Sequence, residues 1–211
     1  MIRRFARSEE GAAMVEMTIV ATLLFALTLG FVDFGYAFYQ WNAATKAVQV
    51  GARLASISDP VATNLGTAAP TANPGAPVVA GAYGPFVCGY SGATGSCTNN
   101  GGFNAAAFSR IFRGDTANTN NDICPTLTAG QRPGMCHFFP GLLRTNVVVT
   151  YTATGLGYQT RLGGPVPTIT VSLRNRTFQF FFLQGLMGFG NINMPSMLST
   201  VTGEDLKSTW P

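Results

Sequence analysis

Charged side chains are sparse in this chain. Its 211 residues hold 13 Lys or Arg, 9 Asp or Glu and a single His, 10% charged in all, where an ordinary soluble domain carries roughly 25%. The net charge is only +4. Beyond Ile57 the basic residues Arg110, Arg113, Arg132, Arg144, Arg161, Arg174, Arg176 and Lys207 are scattered among Asp59, Asp115, Asp122, Glu204 and Asp205. They form no stripe, which argues against a nucleic-acid surface. The parts for catalysis are missing as well. His137 is the one histidine, acids are few, and no GxSxG, HExxH or Gly-rich phosphate loop occurs, so neither an enzyme nor a cofactor is expected. Proline is missing from Met1 to Asp59, and nothing there interrupts a helix before Ser58-Asp59-Pro60.

What fills that proline-free stretch is apolar. Ala12 to Val32 carries one charge, Glu16, and at ~1.5 Å rise per residue this run covers the ~30 Å hydrocarbon core of a bilayer. It reads as a membrane-spanning helix that continues outside the membrane to about Ser58. Arg3, Arg4 and Arg7 precede the span, whereas Asp33 to Thr45 contains no Lys or Arg. Basic flanks stay cytoplasmic, so the N-terminus is expected inside and the remainder exported. An ordinary cleaved signal peptide has an apolar core of about 7–15 residues, shorter than this one.

Five segments follow: a basic leader, 1–11; the span, 12–32; the exported continuation of the helix, 33–58; a Gly/Pro/Asn-rich loop region with all four cysteines, 59–144; and a β-rich part, 145–211. Phe34, Phe38, Trp41, Thr45, Val48, Ala52 and Ala55 recur at three- and four-residue steps and predict a packing face on the exported helix. From Pro60 to Ala107 large apolar residues are rare, which predicts mostly surface loop. Ala105 to Phe112 reads as a short helix. Cys88, Cys97, Cys124 and Cys136 are even in number, and in an oxidising compartment imply two disulfides. Three connectivities are possible; proximity favours Cys88 with Cys97 and Cys124 with Cys136. No pair is spaced CxxC, which sets zinc aside although His137 follows Cys136. Asp115, Asn118, Asn120, Asn121 and Asp122 bunch oxygen donors, but without the glycine and terminal glutamate of a calcium loop they read as turns.

Two alternating runs predict strands. Val147, Val149 and Tyr151 share one face of the first, and Ile169, Val171 and Leu173 one face of the second. An antiparallel sheet with its dry face on the long helix gives an α+β fold. Phe178 to Leu198 is apolar but interrupted by Gln179, Gln184, Asn191, Asn193 and glycines. A second span is therefore disfavoured, and core or an apolar surface on a partner or on lipid is expected.

A basic leader, a glycine and an apolar helix with glutamate at its fifth position resemble a type IV prepilin. The fuller pattern of Gly11, Ala12, Ala13, Val15, Glu16, Asp33, Phe34, Gly35, Phe38, Gly51, Ala52 and Arg53 resembles the TadE-like proteins of the tight-adherence (Flp) pilus system. The tail Met194 to Ser208 is similar to the end of such chains. The resemblance implies a pilin-like fold and removal of the leader between Gly11 and Ala12 by a prepilin peptidase. It also implies a minor pilin or pseudopilin in the bacterial inner membrane and periplasm, working with other pilin subunits and the pilus assembly machinery. Met17 stands where the family usually has Phe or Tyr and weakens the expected peptidase recognition. With Ala12 as new N-terminus, Glu16 lies one helical turn along, on the same face, where it can pair with the ammonium group of a neighbouring helix. The alternative expectation is an uncleaved, single-pass, membrane-anchored binding or adhesive protein.

Overall fold

The computed structural model describes residues 9–69, 72–116, 121–160, 164–188, 190 and 192–203. Arg3, Arg4, Arg7, Asn118, Asn120, Arg161, Asn191, Glu204, Asp205 and Lys207, named above, lie outside them. The first element, α1, runs over Glu9–Ser56 without interruption. Its last turn carries Arg53, favourable beside the negative end of the helix dipole, and the Ser56 hydroxyl donates to the Arg53 carbonyl at 2.8 Å. The chain divides into two compact units, one holding the helix to Gln40 with Thr177–Asn193, the other Trp41–Arg176 with the chain from Met194.

In the larger unit, β1 (Phe86–Ser91) and β2 (Thr94–Cys97) form a hairpin. Gly92, at φ 60°, supplies the positive φ that its two-residue turn demands. Then come α2 (Ala105–Arg113), α3 (Met135–Phe138), β3 (Val147–Thr152) and β4 (Thr168–Leu173). In the smaller unit β5 (Thr177–Phe178), α4 (Phe182–Met187) and β6 (Ile192–Asn193) follow, and β7 (Leu198–Thr202) returns to the larger one. The main sheet is antiparallel throughout, in the order β2-β1-β3-β4-β7.

The fold is α+β, a long N-terminal helix packed on an antiparallel sheet. Val147, Val149 and Tyr151 of β3 and Ile169, Val171 and Leu173 of β4 are buried, as their alternation requires. They share a core with Ala44, Ala47, Val48, Ala52, Leu54 and Ala55 of α1. The helix side of this core is built of small residues. A Cβ on Gly51 would lie 2.5 Å from Met135 Sδ and 3.2 Å from Val171 Cγ1, so only glycine lets the helix backbone come this near. On the opposite face of the sheet Thr150, Thr152, Thr170 and Ser172 are half-buried, and the Thr170 and Thr200 hydroxyls pair across β4 and β7 at 3.1 Å. The Tyr151 hydroxyl accepts the Val61 N–H at 2.9 Å inside the core.

The loop region holds more regular structure than its composition suggested. β1 lies inside the sheet, beside β3, because Phe86, Cys88 and Tyr90 alternate as buried residues between small and exposed ones. Cys88 is directly opposite Cys97 in the hairpin register and bonded to it, and Cys124 is bonded to Cys136. α2 is capped by the Asn104 side chain, which accepts the N–H groups of Ala106 and Ala107. Phe108 of α2 meets Tyr90 edge-on at 5.0 Å, and the Arg144 guanidinium covers the same tyrosine at 4.5 Å.

Candidate functional site

The first part of α1 has almost no chain around it. Met14, Val15, Met17, Ile19, Val20, Leu23, Leu24, Phe25, Leu27 and Phe31 all point outward, and none of the most apolar stretch is buried. It is one helix long and apolar enough to cross a membrane. Its hydroxyls suit that environment. Thr18 donates to the Met14 carbonyl at 2.7 Å, Thr22 to Thr18 at 2.7 Å and Thr28 to Phe25 at 3.0 Å, so each polar side chain is satisfied by its own helix.

Glu16 is the exception. It is exposed, and no group among the described residues pairs with it. An unpaired carboxylate within an apolar helix is costly in lipid, by about 2.5–3.5 kcal/mol at the centre of a span, and by default marks a site that receives a partner. Gly11 and Ala12, the expected processing positions, lie one turn before it inside α1, and Met17 beside it is exposed.

Past the apolar stretch the buried stripe of the helix differs from the face predicted by hydrophobicity. Val48, Ala52 and Ala55 are buried, but Phe34 is 63% and Phe38 67% exposed, and Trp41 is also exposed. The stripe begins instead at two polar residues, Asp33 and Gln40, both buried. The reason is hydrogen bonding. Asp33 Oδ1 accepts the Phe181 N–H at 3.0 Å, and Oδ2 accepts those of Phe182 and Leu183 at 2.8 and 2.7 Å. Two turns on, the Gln40 amide donates to the Gln179 carbonyl at 3.2 Å and accepts the Gln179 N–H at 3.3 Å. Thus Asp33 caps α4, taking amides that the short helix cannot satisfy itself. Periodicity missed this role. The available signal was an acid at the boundary of an apolar helix together with a distant apolar run that has no charge of its own.

The remaining clusters are occupied by hydrogen bonds and ion pairs among the described residues. Asp115 holds Arg132 through both oxygens, at 2.7 and 2.9 Å, and Asp122 accepts the Arg144 backbone N–H at 2.7 Å and its Nε at 3.2 Å. Asn121 accepts from Arg113, which also donates to the Ile123 carbonyl. These oxygens are engaged by guanidinium groups. His137 Nε2 contacts the Pro125 carbonyl at 2.9 Å and Nδ1 accepts the Gly134 N–H. The ring thereby ties the Cys124–Cys136 loop closed, and its neighbouring sulfurs are joined to each other.

A helix long and apolar enough to cross a membrane leads into a small disulfide-linked α+β fold. Residues 11–53 match the family model of the TadE-like proteins, a family associated with the tight-adherence pilus. The match begins at the expected processing glycine and ends at Arg53, so it contains Glu16, Asp33, Gln40 and Gly51. No curated protein and no solved structure matches the chain.

Proposed function

We propose that the chain is a minor pilin or pseudopilin of a tight-adherence pilus, anchored by residues 12–32 with its N-terminus cytoplasmic and the remainder periplasmic. The observation that carries this reading is the outward-facing apolar helix, with Glu16 unpaired among the described residues, inside the TadE-like match. A prepilin peptidase adds water across the Gly11–Ala12 bond, leaving a carboxylate on the leader and an ammonium group on Ala12. Glycine at the cut helps twice. It has no side chain to exclude from a narrow site, and it weakens the helix locally by about 1 kcal/mol relative to alanine. Glu16 then pairs with the ammonium group of an adjoining subunit, which removes both charges from lipid. Other pilin subunits and the assembly machinery are the partners, with membrane lipid around the rest of the helix.

Intact-mass spectrometry of the protein from its native membranes, with and without the prepilin peptidase, tests this. Loss of Met1 to Gly11 only in the presence of the peptidase is expected. A full-length chain in both samples refutes processing and moves the uncleaved, membrane-anchored binding protein to first place, a result that Met17 in the aromatic position would then explain. Glu16→Ala is expected to insert as well as the parent and to be lost from pilus assemblies; normal assembly of that variant contradicts the pairing.

A further inference from the structure

Resting on the reading of α1 as the membrane anchor, we propose that residues 178–188 and 192 form a second membrane contact. They make an interfacial loop that lies in the headgroup layer at the Val32 end of the span, with the lipid surface as its occupant. Four observations meet here. From Thr177 to Asn193 the chain has no charged residue, and it includes Phe178, Phe180, Phe181, Phe182, Leu183 and Ile192. A run this apolar ordinarily makes a core, yet Phe181 is 60%, Phe182 42% and Ile192 54% exposed. Such a surface is unusual on a protein face bathed by water.

The second observation is position along α1. Gln179 is held at Gln40, Phe180 meets Phe34 edge-on at 6.2 Å and Phe181 meets Tyr36 at 5.1 Å. Leu183 reaches Gly30, whose Cβ would be 4.0 Å from it. The backbone therefore descends the helix by about 10 Å, the seven-residue rise from Gln40 to Asp33, and the Leu183 side chain reaches the last turn of the span. Phe31, Phe34 and Phe38 of the helix also point outward, and exposed Tyr36 and Tyr39 supply the amphipathic rings expected where a helix leaves the hydrocarbon.

The third is polar satisfaction. Backbone is tolerated at membrane depth only where its N–H and C=O groups are paired. The first amides of α4 are taken by Asp33, the Gly188 N–H donates back to the Gln184 carbonyl at 3.2 Å, and β5 pairs with β6 at the base. The fourth is the acid itself. A carboxylate at the membrane boundary is tolerable because Asp33 is wholly buried and its charge is spent on three amides, with none of it facing lipid. Asp33 is thus a positioning residue for a lipid-binding loop. The loop would fix how deep the protein sits and which way it is turned about the helix axis, and a single helix sets neither.

Depth measurement by spin labelling tests the proposal on the full chain in vesicles of phosphatidylethanolamine and phosphatidylglycerol. All four native cysteines are in disulfides, so an added cysteine is the only free thiol. Nitroxides are placed at Phe182→Cys, at Leu27→Cys inside the span and at Val79→Cys as an exposed reference. The expected result is a several-fold higher ratio of oxygen to nickel-chelate accessibility at 182 than at 79, with 27 deeper still. Ile192→Cys, opposite Phe178 at the base of the loop, should read between 79 and 182, and guards against local damage by the first label. Adding Asp33→Asn should bring 182 towards the aqueous value and leave 27 unchanged. A membrane-like label at 27 with 182 resembling 79 overturns the loop contact and leaves the anchor standing. An aqueous label at 27 refutes the anchor and the inference with it. Low accessibility to both reagents at 182 means protein covers the loop, and that also overturns the proposal.

Discussion

Gly51 offers a test in which local helix propensity and tertiary packing predict opposite signs. Replacing a helical glycine by alanine ordinarily stabilises by about 1 kcal/mol, because the unfolded chain loses freedom. At Gly51 the new methyl would lie 2.5 Å from Met135 Sδ, 2.9 Å from Met135 Cγ and 3.2 Å from Val171 Cγ1. Met135 and Val171 are fully enclosed, and Val171 is β-branched on a strand, so neither can swing into open space. Overpacking of this kind costs about 1–3 kcal/mol. Against the propensity gain, Gly51→Ala should lose about 1 kcal/mol net, or about 2–4 °C in Tm for a chain of this size. The cause can be isolated by a double-mutant cycle. Met135→Ala alone leaves a cavity and should cost about 2–5 kcal/mol, but in the Gly51→Ala background the added methyl occupies part of it. The pair should therefore cost about 1–2 kcal/mol less than the sum. The assay is reversible urea unfolding of the full chain in detergent micelles, followed by near-ultraviolet circular dichroism. A Gly51→Ala protein more stable than the parent, or additivity within about 0.5 kcal/mol, would falsify the close-approach argument.

Two further outcomes follow from buried or paired polar groups. Tyr151→Phe strands the Val61 N–H, since both residues are wholly enclosed and the hydroxyl is its acceptor; the expected loss is about 1–3 kcal/mol, read as a lower urea midpoint. Burial pushes the Tyr151 hydroxyl upward, so this loss should be the same at pH 6 and pH 9, and a loss that fades at pH 9 contradicts the enclosed site. The hydrogen bond from Arg132 holds the Asp115 carboxyl below its ordinary range against the opposing effect of burial. A carboxyl lowered on folding stabilises fully above its unfolded value of about 3.9 and ceases to do so as pH falls through the lower folded value. Asp115→Asn should thus be less stable than the parent from pH 7 to pH 5, by under about 1 kcal/mol since Arg132 is half-exposed. The difference should disappear on acidification well below pH 4. A gap that widens with acid contradicts the assignment.

Much of this architecture is legible in residue order. Segments whose pattern repeats locally carry their own instructions. The apolar run from Ala12 to Val32 is long and apolar enough to cross a membrane, the lack of proline before Pro60 lets α1 continue, and the alternations at Val147–Thr152 and Thr168–Leu173 specify strands and their inward faces. The TadE-like resemblance is equally local, because it lies on one uninterrupted helix. Composition misled where the pattern was short and its residues small. Phe86–Ser91 has three inward side chains between glycine, serine and valine, and its place beside β3 depends on a partner about sixty residues away.

The contacts that matter most at the site depend on long separations of the same kind. Asp33 meets amides 148 to 150 positions along the chain, and Gln40 meets Gln179. Hydrophobic periodicity ranks Phe34 and Phe38 as packing residues and cannot know that a carboxylate will be buried beside them, since its burial is favourable only once three particular N–H groups arrive. Gly51 likewise looks like a helix weakness until Met135 and Val171 are brought against it. Residue order therefore sufficed for every feature whose free energy comes from neighbours within a few turns of the chain. Where burial of a polar group or the loss of a side chain is repaid by a distant segment, the assignment came only with the folded chain.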